Sequence, residues 1–299
     1  MNILLPFDGK PHSQRAVDLA IKYFNLPRCT VTLLHVVEAP SSNMVMKDKT
    51  GRIEETYPEM AAEESQVLLE FLGKKFESAG AKVEIRIQHG KPGSEIKSLA
   101  ESSQMPIILT TPGRHTQRDL MLDSTITNQL LQVEFEVLLM LARGVESELL
   151  SDDLKPACAF LIDGSDESIK CLNLLAPLVA GKMQILLVLS RLGWQRNVNA
   201  GVFEVHNPAI ETSPARSCEE ALEDAMTTLE VAGFDWEEMI VEESFEECVP
   251  TIEKHRALGM LVGTRSREDV LHRPLKGSPC ERLFTSVSCN SALYCAAVS

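Results

Sequence analysis

The chain reads as two consecutive α/β domains, each an open five-stranded parallel sheet with helices on both faces. Three observations predict this. A short apolar run, an Asp-Gly pair and a Ser leading into a helical pattern occur at Ile3–Ser13 and again at Ala159–Ser168. The two copies stand about 155 residues apart, the length of a domain rather than of a solenoid repeat. Strand-sized apolar runs such as Ile185–Leu189 alternate with helical patterns in the same order in both halves, as in parallel sheets buried on both sides. The 299 residues suffice for two cores.

In the first copy, strand one is expected at Asn2–Phe7 and a helix at His12–Phe24. Strand two is Thr30–Val37, followed by a polar insertion at Glu38–Tyr57 that reads as a mobile loop. The long helix Pro58–Ser78 has Pro at its start and Gly80 just past its end, the usual asymmetry of helix termini. Strand three is Lys82–Gln88. The turn Gly90–Gly93 then leads into the helix Ser94–Ser102. Strand four is Pro106–Thr111, a helix begins near Ser124, and strand five is Glu136–Leu141.

The second copy repeats the order with strands Ala157–Ile162, Met183–Leu189, Trp236–Val241, Leu258–Gly263 and Ala292–Ala297. Its helices are Glu167–Leu178, Cys218–Val231, Phe245–His255 and Pro279–Val287, and Ser190–Ser217 is its polar insertion. The domains are expected at residues 1–143 and 156–299, joined by the acidic, Gly-containing stretch Arg143–Lys155. In such sheets ligands bind beyond the carboxyl ends of the strands, where the strand order switches. Asp8 and Asp163 end strand one of each copy and stand at that crevice.

Charge and cysteine usage exclude several function classes. The formal net charge of −14 is uneven: residues 1–145 carry 16 Lys+Arg against 18 Asp+Glu, residues 146–299 carry 13 against 25. No Lys or Arg falls between Ser217 and Glu253. This field opposes nucleic acid and anionic membrane, and a solvated helix face with acidic loops accounts for it. The apolar runs are too short to span a bilayer. The start of the chain lacks the basic, then apolar, pattern of a secretory signal, so the expected location is cytoplasmic. The eight Cys show no C-x-x-C pair and are expected as reduced, buried filler, Cys289 and Cys295 among them. The seven His form no metal-binding spacing, and neither a G-x-S-x-G elbow nor a G-x4-G-K-[S/T] loop occurs. No metal site and no catalytic residue is identified.

The order of elements, the Asp ending strand one and a Gly-containing loop after strand four resemble the universal stress protein family, here in a tandem two-domain form. The resemblance implies a Rossmann-like, adenine-nucleotide-hydrolase-like fold and, as in some members, binding of ATP or a related adenine nucleotide. The family loop reads G-x2-G-x9-G-[S/T]; its Gly residues admit phosphates to backbone N–H groups, and its last residue opens a helix. In the first copy only Gly113 and Ser124 match, with Thr110 and Asp123 in place of the other Gly residues. A carboxylate at Asp123 opposes phosphate, and Asp123 or Ser124 reads equally as a helix cap. In the second copy Gly263, Gly277 and Ser278 match, Ser266 replaces the middle Gly, and the stretch before Gly277 is one residue longer. Arg265, Arg267, Arg273 and Lys276 are expected to give this loop a positive surround, which makes the second copy the better candidate.

The match places Asp8 and Asp163 at the adenine end of the pocket, beside Val36 and Leu189 as apolar neighbours. An ordinary Asx-type turn is the alternative for both Asp residues. The resemblance further implies an internal pseudo-dimer paired through strand five and allows a homodimer. Without a base and metal ligand beside the phosphates, the expected function is non-enzymatic, stress-responsive nucleotide binding or sensing. The alternatives are a ligand-free scaffold for a protein partner and a slow nucleotide hydrolase.

Overall fold

The computed structural model describes residues 1–38, 45–47, 53–112, 126–131, 133–143, 155–162, 165–190, 218–244, 247–255, 257–265, 283–285 and 287–296. The chain divides into two compact units, residues 1–22 with 26–142 and residues 23–25 with 143–299.

The first unit runs β1 (Asn2–Pro6), α1 (Gln14–Tyr23), β2 (Thr30–Val37), β3 (Val45–Lys47), β4 (Ile53–Thr56) and α2 (Tyr57–Ser78). It continues with β5 (Lys82–His89), α3 (Pro92–Ser102), β6 (Ile107–Thr110), α4 (Ile126–Leu130) and β7 (Val137–Leu141). Its sheet has the parallel order β7-β6-β1-β2-β5. The second unit runs β8 (Ala157–Ile162), α5 (Asp166–Val179), β9 (Gln184–Ser190), α6 (Cys218–Ala232), β10 (Trp236–Val241), α7 (Val249–His255), β11 (Leu258–Arg265) and β12 (Asn290–Cys295). Its parallel order β10-β9-β8-β11-β12 repeats the first. The α/β class with parallel sheets is therefore as the sequence predicts.

Local chemistry sets the element ends. Helix α1 begins two residues later than expected because Ser13 closes a turn on Lys10, its N–H and hydroxyl both donating to the Lys10 carbonyl at 3.0 and 2.8 Å. Helix α5 is capped by Ser165, whose hydroxyl accepts from the Ser168 N–H at 3.2 Å, and Asp166 and Glu167 face the positive end of its dipole. The expected helix from Phe245 begins only at Val249, since Ser244 holds a turn that accepts from the Glu247 and Cys248 N–H groups at 3.0 Å. The insertion 38–57 is not wholly a loop: β3 and β4 pair as an antiparallel hairpin within it. Residues 191–217 of the other insertion lie outside the described residues.

Strands β7, β8, β11 and β12 have no exposed position. Strands β5 and β10 depart from that pattern. In β5 the apolar Val83, Ile85 and Ile87 are half-buried while Lys82, Glu84 and Arg86 are exposed, and β10 exposes Glu237 and Glu238. A charged edge strand resists pairing with a stray strand. Arg143 counts with the second unit rather than ending the first. Its backbone N–H donates to Asn290 Oδ1 at 3.0 Å, and its guanidinium donates to the Phe284 carbonyl at 2.7 Å and to Ser291 Oγ at 2.5 Å. Burial lowers its pKa to about 10.

Candidate functional site

The strand order reverses between β1 and β6 in the first unit and between β8 and β11 in the second. The carboxyl ends of those strands are where an open parallel sheet leaves a crevice.

In the first unit the crevice begins at Asp8. Its Oδ1 accepts from the Lys10 N–H at 3.0 Å, and its Oδ2 lies 3.5 Å from Lys10 Nζ and 3.3 Å from His12 Nε2. Partial burial pushes the carboxyl pKa up. The Lys10 N–H, the Ser13 hydroxyl and the charges of His12 and Lys10 outweigh that and hold it below the usual carboxylate range. Gly9 follows with φ +77°, a left-handed conformation that a side chain resists, and an added Cβ would meet Leu68 Cδ2 at 3.1 Å. Asp8 thus makes the Asx-type turn, with a carboxylate still 41% exposed.

Register places two more residues level with Asp8. Strand β1 pairs with β2 as far as Pro6 and Leu34; Asp8 and Val36 each come two residues later, and Val36 pairs with Gln88 on β5. Val83 and Ile85 face α2, since a Cβ on Gly73 would meet them at 3.4 and 3.9 Å. Val36 and Gln88, of the other parity, face the α3 side. Val36 and Gln88 therefore stand side by side, about 5 Å or one strand spacing apart, at the carboxyl edge of the sheet, and Asp8 follows the end of the adjoining β1 in the same row. Gln88 Oε1 is buried without a hydrogen-bond partner, a state that costs about 1–3 kcal/mol unless a donor arrives. Neighbouring His35 faces the α2 side, and its Nδ1 donates to the Phe7 carbonyl at 2.8 Å. The phosphate end of this copy, Gly113 through Asp123 and Ser124, lies outside the described residues; β6 leads towards it through the half-buried Thr110 and Thr111.

In the second unit Ile162 pairs with Leu189, and Ser190 ends β9 one residue later. Leu189 is 2% exposed and faces the layer opposite α7, because Val188 and Val241 pack with Ile252 of α7. A one-residue slip changes the face, so Leu189 is not the counterpart of Val36. Ser190 is buried and donates its hydroxyl to the Glu243 carbonyl at 2.5 Å. Its neighbour on β10 is Val241, where the first copy has Gln88. Arg265, expected as part of the positive surround of the loop, is 1% exposed at the end of β11. Gly263 lines an apolar gap of about 10 Å³ with Leu161, Leu261, Leu283, Phe284 and Ala292, at the lower limit for one water. Asp163, Gly277 and Ser278 lie outside the described residues.

An adenine base requires a flat apolar support and groups that meet its edge. The first copy sets the apolar Val36 beside the Gln88 carboxamide, with the Asp8 carboxylate at the end of the adjoining strand. Sequence reasoning missed Gln88 because only the pairing register shows it level with Asp8. Among the described residues no group of three or more His, Cys, Asp or Glu is placed to hold a metal ion, and no helix is long and apolar enough to cross a membrane.

Comparison with known proteins places this geometry. Residues 1–140 match the model of the Universal stress protein family. A universal stress protein from Archaeoglobus fulgidus DSM 4304 aligns over 99% of this chain and 96% of its own, with a TM-score of 0.64 and 13% identity. A functionally unknown protein from Pseudomonas aeruginosa PAO1 aligns over 99% and 92%, with a TM-score of 0.58 and 10% identity. At those identities the two alignments establish the fold alone. No curated protein matches the chain.

Proposed function

We propose, for a chain whose residues 1–140 belong to the universal stress protein family, that it is a non-enzymatic adenine-nucleotide-binding protein whose first copy receives the base. The observation that carries this reading is the row Asp8, Val36 and Gln88, with its buried acceptor lacking a donor. Val36 supports the face of the base, and Asp8 and Gln88 meet its edge. ATP or a related nucleotide then extends its phosphates towards β6 and the segment from Gly113 to Ser124. The second half, with the same strand order, is a second domain of the same kind whose strand ends are turned to packing. Ser190 and Arg265 are buried there, and Gly263 faces a gap far below the several hundred Å³ of a ligand pocket.

The test has two parts. Freshly purified protein is heat-denatured and its released small molecules are identified by mass spectrometry, and the emptied protein is titrated with ATP by calorimetry. An adenine nucleotide in the first part or saturable heat in the second supports the reading. Neither result supports the ligand-free scaffold, and conversion of ATP to ADP during the titration supports the slow hydrolase.

A further inference from the structure

The geometry points to Gln88 as the residue that sets base specificity in the first copy, by accepting a hydrogen bond from an exocyclic amino group. This rests on the nucleotide reading and goes beyond it by naming the discriminating atom. Two described side-chain oxygens are buried without a partner in the first unit, Thr32 Oγ1 and Gln88 Oε1. Thr32 pairs with Leu4 and Glu84 in the middle of the sheet, four residues before the carboxyl edge. Gln88 is at that edge, beside Val36 and level with Asp8, where the fold leaves room for a ligand.

The chemistry of the row separates its members. Both Asp8 oxygens are engaged by its own turn, one by the Lys10 N–H and the other by Lys10 and His12. Val36 offers only apolar surface. The Gln88 oxygen is the acceptor in the row that has nothing to accept from. A base resting on Val36 with an amino group towards β5 satisfies it, whereas a base without that group leaves it buried and unmet. A site with a buried polar group waiting discriminates strongly against a ligand lacking the matching group.

The probes are ATP and purine riboside 5′-triphosphate, which differs from ATP by lacking the exocyclic amino group. Calorimetry is run on the wild-type chain and on Gln88→Met, which keeps the length of the side chain and removes its polar end. The wild type is expected to bind ATP about tenfold more tightly than the analogue, the scale of one hydrogen bond. Gln88→Met is expected to bind both equally, at the affinity of the wild type for the analogue. Without ligand the variant is expected to melt higher than the wild type, since the unmet oxygen is gone; a residue with a merely structural role would melt lower. Equal binding of the two probes by the wild type overturns the role of Gln88 while leaving nucleotide binding intact, and it needs no variant to fold. Tighter ATP binding that persists in Gln88→Met also overturns it. No binding of ATP by the wild type overturns the nucleotide reading and this inference together.

Discussion

The two units share one strand order and differ at the carboxyl edge of their sheets. At the carboxyl ends of their second and third strands, the first has Val36 and Gln88 and the second has Ser190 and Val241. In the first, an amide oxygen is buried without a donor. In the second, the hydroxyl at the edge is bonded to the Glu243 carbonyl, and the arginine ending β11 is enclosed. A polar group that meets its own chain, as the Ser190 hydroxyl does, costs less to bury. A group left unmet is a cost that a ligand can remove. The same fold thus leaves an edge acceptor unmet in the first copy and bonds the edge hydroxyl to its own chain in the second.

That contrast can be broken in four ways, taken from the largest expected effect. Val36→Trp fills the apolar support and is expected to lower ATP affinity about a hundredfold by displacing the base, as titration would show. An unchanged affinity would remove the first copy as the site. Arg143→Ala removes a buried guanidinium and its bonds to the Phe284 carbonyl and the Ser291 hydroxyl, which keep only their bond to each other, so chemical denaturation should show a loss of about 2 kcal/mol with ATP binding unchanged. Ser190→Ala deletes the bond to Glu243 and is expected to cost about 1 kcal/mol on the same scale, again without effect on binding. If it weakens ATP binding instead, the second edge is not merely packed.

The smallest effect is one of pH. The folded-state pKa of Asp8 lies below its ordinary 3.8, so its ionised form stabilises the fold above that value, and the contribution is lost as pH falls through the folded value. Asp8→Asn should therefore be less stable than wild type at neutral pH. The gap should close as pH drops well below 3.8 in a pH series of thermal melts. A gap that persists in acid would assign the loss to the turn geometry rather than to charge.

The fold was legible because its strands are bounded by turn chemistry: Ala157–Ile162 and Trp236–Val241 are apolar or alternating runs between Pro, Gly and Asp signals, and both form as read. The helix starts were less so, since a local bond such as that of Ser13 to Lys10 shifts them by a turn. Of the site, Asp8 and Val36 could be read from position. Leu189 could not be told from Ser190, because a strand buried on both faces has no alternation to say which residue meets which helix layer, and the polar residue ending such a run looks like the start of a loop. Arg265 was read as surface charge, since a fully buried arginine is rare. Gln88 carries no signal of its own in the sequence, where it is simply the last residue of strand three, and only the pairing register sets it beside Val36. The cysteine reading from sequence agrees with the structure at the described positions: Cys29, Cys158, Cys171, Cys248, Cys289 and Cys295 are buried and outside any disulfide. Burial raises the thiol pKa of Cys289 to about 11 and of Cys248 to about 12.

The most direct test of the first copy as the nucleotide-binding half is photolabelling of the intact chain with 8-azido-ATP, followed by proteolysis and mass mapping of the modified peptide. The expected label falls on a peptide from residues 1–112, at or beside Asp8, Val36 or Gln88, and is suppressed by excess ATP. Suppressible label confined to residues 156–299 would contradict the account.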